Sequence, residues 1–313
     1  MPEQDQVHPW KLPDADAHRF SYLCGVIRPP GWQRIGRTLP TLAQAAPGLV
    51  AAADPKLSVL LYKCWTEIFA DYPDYPAQQI GDCVSFGHAH ALDLLDTVEC
   101  YVGELDISAI RRHCTEFIYG MARKISGDLG PFDGSYGGAA VKALTTAGYL
   151  SYGEMGDLGE STTYSGRRAK QYGRTGPTPQ EEELAGTHKL QAAALLESTD
   201  DMIAALQNGH PCTICTERGF SMQRDKQGFC KMQGRWGHCM FISAYRADRP
   251  GGLVMQSWGP DQPTGPTDLD QPSWSFWAEL GDLARIIAEG DSWALSGSPG
   301  FPKKALPPEL LAA

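Results

Sequence analysis

The chain has 313 residues, 42% hydrophobic and 20% charged, with a formal net charge of −10, which is the balance of a folded globular protein of one large or two ordinary domains. That negative balance repels phosphate backbones and anionic lipid, so nucleic acid and membrane surfaces are excluded as expected partners. No apolar run reaches the roughly 18 residues of a membrane span, and the start MPEQDQVHPWKLPDADAHRF lacks the basic and apolar regions of a signal peptide, so the expected location is the cytoplasm.

Taken in chain order, residues 1–72 read as an N-terminal extension: they are rich in Pro, Ala and polar residues until a helical stripe over 55–71, stopped by DYPDYP. A helix is expected over 83–103, with Val84, Phe86, Ala89, Leu92, Leu95 and Val98 near one face, and another over 111–127 that ends at Gly127. The run GPFDGSYGG is a Gly-rich loop leading to a short helix over 139–150, and residues 151–186 read as a long surface loop. A further helix is expected over 189–209. The character then changes: PCTICTERGF, HCMFISAYRA, GGLVMQSWG and DSWALSG read as strands, with a helix over SFWAELGDLARIIAEG. Helices first and strands second indicate an α+β protein of two lobes: a helical lobe over 73–200, a β-rich lobe over 201–300, and a C-terminal tail over 301–313.

The nine cysteines are read as reduced thiols. Cys212 and Cys215 suggest a metal pair, but positions three apart on a strand face opposite ways, so no metal and no cofactor are expected.

Three segments carry the chemistry. In QQIGDCVSFG, Cys83 opens a helix whose unpaired N–H groups and positive potential favour a thiolate. In GRWGHCMFISAYR, His238 starts a strand and offers an imidazole to take the thiol proton. In GGLVMQSWG, Gln256 ends a strand, and its amide carbonyl can orient the imidazole while Trp258 shields that contact. Gln78 or Gln79 can supply a side-chain donor for a developing oxyanion.

Together these segments resemble the papain-like cysteine peptidases. The resemblance implies a two-lobed fold, a helical lobe followed by an antiparallel barrel-like lobe, and covers roughly residues 73–300. It implies Cys83 as nucleophile and His238 as general base and acid. Gly137 and Gly138 would line the cleft and pair with the backbone of a peptide or protein substrate. Departures are visible. Gln256 stands where the family has Asn, Gln78 is one residue nearer the Cys than usual, and the separation of Cys83 from His238 exceeds the family's roughly 130–150 residues, which places an insertion at 151–186. No family-type inhibitory segment is recognisable in residues 1–72. A second reading keeps the fold as a binding or structural module with protein assembly partners, such as a component of a virus particle, and so virion-associated.

Overall fold

The computed structural model describes residues 20–311. Its centre is the helix Cys83–Tyr101, whose residues are buried almost all the way round, as expected of a helix enclosed by other elements. Gly87 lets it settle on the sheet: a Cβ there would lie 2.8 Å from Cys239 Sγ.

Seven strands form one antiparallel sheet: β1 (Val59–Leu60), β2 (Ala192–Leu195), β3 (Cys212–Phe220), β4 (Met232–Arg246), β5 (Gly251–Met255), β6 (Ser275–Glu279) and β7 (Ser292–Ser296). Their order is β2-β7-β3-β4-β5-β6, with β1 on the far part of β4. The β3–β4 register places Cys215 opposite Cys239 and Thr216 opposite His238. The β-branched and aromatic residues of these strands form the main core with Trp65, Trp277 and Trp293. The arrangement of helices against an antiparallel sheet is the α+β, papain-like architecture expected.

Several expected elements differ. The stretch 55–71 splits into β1 and the helix Lys63–Phe69 because Val59 and Leu60 pair with β4. Residues 151–186 contain three helices, Tyr152–Asp157, Gly166–Thr175 and Pro179–Ala185, the first and third opened by capping boxes, Ser151 with Glu154 and Thr178 with Glu181. Residues 189–209 divide into β2 and the helix Thr199–Gln207, since the alanines of β2 pair with β7. The stretch from Ser275 likewise gives β6 first and then the helix Leu280–Ile287. The described part of the extension contributes Leu42, Val59, Leu60, Tyr62 and Trp65 to the common core.

Candidate active site

The turn Gly81–Asp82 delivers Cys83 to the first position of its helix, where Ser85 and Phe86 N–H groups already bond the Asp82 carbonyl. The Asp82 carboxyl caps nothing; it accepts from Tyr164 Oη at 3.0 Å, and burial pushes its pKa well up. The sulfur of Cys83 is itself buried and accepts N–H groups from Gly25 at 3.3 Å and Cys239 at 3.4 Å. Burial raises the thiol pKa far above its ordinary value, against the lowering by those two N–H groups.

His238, on β4, is fully buried. Its ring lies against Trp258, with centroids 4.4 Å apart, and Trp236 meets Trp258 edge-on at 4.8 Å. Neither ring nitrogen has a hydrogen-bond partner among the described residues, and burial lowers the imidazole pKa to about 3. Burial thus disfavours the charged form of each group.

Gln78 is buried, and its amide is tied to Leu23 and to Ser257. Ser257 holds it twice: Gln78 N–H donates to the Ser257 carbonyl at 2.9 Å, and Ser257 Oγ donates to Gln78 Oε1 at 2.7 Å. This fixes which end of the amide is the donor, and Nε2 reaches the Leu23 carbonyl at 2.6 Å and that of Ile80 at 2.7 Å. Gln79 turns away, accepting from Gly166 N–H at 3.1 Å.

What occupies the cleft is the chain itself. Residues 20–28 run across Cys83 as a strap, a single 3-10 turn at Ser21–Leu23 followed by extended chain from Cys24. Leu23 gives its carbonyl to Gln78, and Gly25 gives its N–H to the sulfur. The Gly25 carbonyl accepts from Ser135 N–H at 2.8 Å, Val26 N–H reaches the Gly237 carbonyl at 2.8 Å, and Ile27 N–H the Ser135 carbonyl at 2.9 Å. Phe20 stacks on Trp258, with centroids 4.7 Å apart. Gly25 is required there, because a Cβ would lie 1.9 Å from the Gly81 carbonyl oxygen. No inhibitory segment is legible in residues 1–72 by sequence, yet this strap covers the thiol; its pairing runs through backbone groups, which leave little trace in residue types.

Two expected roles are not made in this geometry. Gln256 does not touch the imidazole: its amide serves its own loop, donating to the Gly259 and Gln262 carbonyls and accepting from Trp258 N–H. Gly137 and Gly138 do not offer their N–H groups to the cleft, because both donate to Asp291, at 2.9 and 2.8 Å, which caps their helix. The backbone that pairs with an extended chain belongs to Ser135 and Gly237 instead. A negative signal was present in the sequence, since GSYGG runs directly into a helical stretch whose first N–H groups need an acceptor.

The strap also places Arg28 beside Asp291 and Glu289. Its Nη1 lies 2.5 Å from Asp291 Oδ2, and Nη2 is 3.0 Å from the Cys215 carbonyl and 3.9 Å from Glu289 Oε2. Burial opposes the Arg28 charge, and the neighbouring anions, Asp291 foremost, outweigh it and raise the pKa.

No protein-family model matches the sequence, and no curated protein matches it. Solved structures do. The chain is similar to xylellain, a cysteine protease from Xylella fastidiosa, with 16% identity, a TM-score of 0.60, and coverage of 89% of this chain and 97% of that one. It is similar to procathepsin B S9 from Trypanosoma congolense, with 12% identity, a TM-score of 0.57 and coverage of 93% of each chain. It also resembles the proform of the ragweed pollen protease Amb a 11, at 14% identity and a TM-score of 0.53 over 93% of this chain and 81% of that one. The chain thus has the fold of the papain-like cysteine proteases. No helix among the described residues is long and apolar enough to cross a membrane.

Proposed function

We propose that this chain is a papain-type thiol hydrolase of peptide bonds, covered at rest by its own residues 20–28. The observation that carries this reading is the strap itself: the chain's own backbone lies across Cys83, with the Leu23 carbonyl on the Gln78 amide and the Gly25 N–H on the sulfur. The similarity to structures named as proforms supports it.

With substrate in place of the strap, the Cys83 proton passes to His238 and the sulfur attacks the scissile carbonyl carbon. The carbonyl π-electrons move to oxygen, where Gln78 Nε2 and the free N–H groups of the helix start receive the charge. Collapse expels the amine, which takes the proton from His238 and leaves an acyl thioester on Cys83. Water then gives a proton to His238 and attacks the thioester carbon, releasing the acid and restoring the thiol. Trp258, packed against the imidazole at an interplanar angle of 32°, restrains its orientation, a task that Gln256 does not perform in this geometry.

A second reading, a non-catalytic module that binds an extended peptide or an assembly partner, draws on the unpartnered His238 ring and on Gln256 being committed to its own loop. Its mark would be recovery of the chain as a fixed component of a large assembly.

Alkylation of the full chain separates the two. Gly25→Val, which the Gly81 carbonyl cannot accommodate, should expel the strap. Cys83 should then label at least about tenfold faster than in the parent, with peptide hydrolysis appearing alongside. Labelling of Cys83 no faster than the remaining cysteines, and no hydrolysis, would defeat the hydrolase.

A further inference from the structure

We infer that the cleft includes an acidic subsite, built by Asp291 and Glu289, that takes the guanidinium of an arginine in the bound peptide; this rests on the proposed hydrolase only for its use in catalysis. The strap supplies the precedent. Its backbone sits on the groups that would hold a substrate, and its Arg28 side chain leaves that line to enter a pocket at the start of the helix Gly137–Thr146. There the guanidinium meets one carboxylate at 2.5 Å, a second at 3.9 Å, the Cys215 carbonyl at 3.0 Å, and the face of Trp32 at 4.1 Å.

The pocket does not depend on Arg28 for its shape. Asp291 is fixed by three neutral donors, Gly137 N–H at 2.9 Å, Gly138 N–H at 2.8 Å and Trp293 Nε1 at 2.9 Å. Glu289 is fixed by Thr216 Oγ1 at 3.1 Å, Glu217 N–H at 2.9 Å and Arg218 Nε at 3.0 Å. Arg28 is the cation on Asp291, whose side chain is 0% exposed. Once the strap leaves, a held anion remains beside an open groove of about 970 Å³ lined in part by Trp32, Glu217 and Glu289. An incoming arginine restores the pairing. A neutral side chain leaves the anion bare, and lysine, a point charge, cannot bridge Asp291 and the Cys215 carbonyl as a planar fork does.

The test uses the full chain with Gly25→Val and Arg28→Ala to vacate the cleft and Cys83→Ala to prevent turnover. Short fluorescent peptides carry arginine, or its neutral isostere citrulline, at each position in turn, and anisotropy reads binding. At one position arginine should bind about tenfold or more tightly than citrulline, and Glu289→Gln should narrow that gap. Equal binding at every position overturns the subsite, whether or not the chain hydrolyses peptides. Arginine-selective binding in a chain whose Cys83 never labels quickly removes the hydrolase and leaves the subsite standing. In Arg28→Ala alone, which keeps the strap's backbone pairing, millimolar methylguanidinium should slow Cys83 alkylation back toward the parent rate. Methylammonium should not, and equal effects of the two cations count against the subsite.

Discussion

His113 and His238 are both buried imidazoles, and they behave oppositely. Burial disfavours the charge on each. At His113 this is outweighed by Asp96 and by Asp93, whose Oδ1 lies 2.7 Å from Nδ1, so the pKa rises above its ordinary value. At His238 no carboxylate answers burial, and the pKa falls to about 3. Asp93 also accepts the His113 backbone N–H at 2.9 Å and Tyr75 Oη at 2.9 Å, so His113 is one corner of a network centred on Asp93, while its Nε2 makes no hydrogen bond among the described residues and lies 3.7 Å from Asp96 Oδ2. The His238 ring packs against Trp258 at 4.4 Å and meets Trp236 at 6.2 Å between centroids. The contrast shows how neighbouring carboxylates reverse what burial does to an imidazole: His113 is held by Asp93 and Asp96, whereas neither His238 ring nitrogen has a hydrogen-bond partner among the described residues.

The comparison can be broken most directly by substituting each ring. In the chain opened by Gly25→Val, His238→Gln should reduce peptide hydrolysis about 10³-fold, the scale of general acid–base catalysis, with the fold retained by circular dichroism. A fall of only a few-fold would mean that His238 is not the base. His113→Ala should do the reverse: hydrolysis persists, and urea denaturation shows a loss of about 3 kcal/mol because buried Asp93 loses the nearer of its two cationic partners among the described residues and keeps only Arg112 at 3.7 Å. A loss under about 0.5 kcal/mol would deny the network its structural role.

The smallest effect is in the pH dependence. The folded pKa of His238 is depressed, so its contribution to stability is intact above the ordinary value of 6.5 and is lost as pH falls from there toward about 3. His113 has a raised pKa, so its contribution is complete below its ordinary value and is lost as pH rises through the folded one. Melting temperature against pH should therefore flatten on the acid side in His238→Gln and on the neutral side in His113→Gln. Parallel curves for both variants would refute the contrast. His88, His90 and His210, also buried with lowered pKa values, add acid-side slope common to both.

Much of this was legible in residue types. The thiol helix, the His238 strand and the strands at Gly251–Met255 and Ser292–Ser296 announce themselves by long apolar runs and turn signals. The helices of 151–186 were also written in the sequence, as SYGE and TPQE, but Gly and Thr content masks such caps when composition alone is weighed. The alanines of β2 favour a helix locally, and only pairing with β7 makes them a strand. Gln78 and Gln79 cannot be told apart by spacing; in the fold Ser257 Oγ holds the Gln78 amide and Gly166 N–H holds that of Gln79. The least legible features were Asp291 and the strap. Asp291 works on partners far away in the chain, and the strap binds through main-chain atoms, which every sequence possesses.

The far end of the thiol helix has its own consequence. Glu99, on its last turns, is buried against Lys304 Nζ at 3.1 Å, and the same ammonium also pairs with Glu104. A polypeptide emerging from synthesis has no such cation for these two carboxylates until residue 304 has been made, and burying Glu99 before then would enclose an unanswered charge. The helix that carries Cys83 at its start is thus closed at its far end by a residue more than two hundred positions downstream of that cysteine.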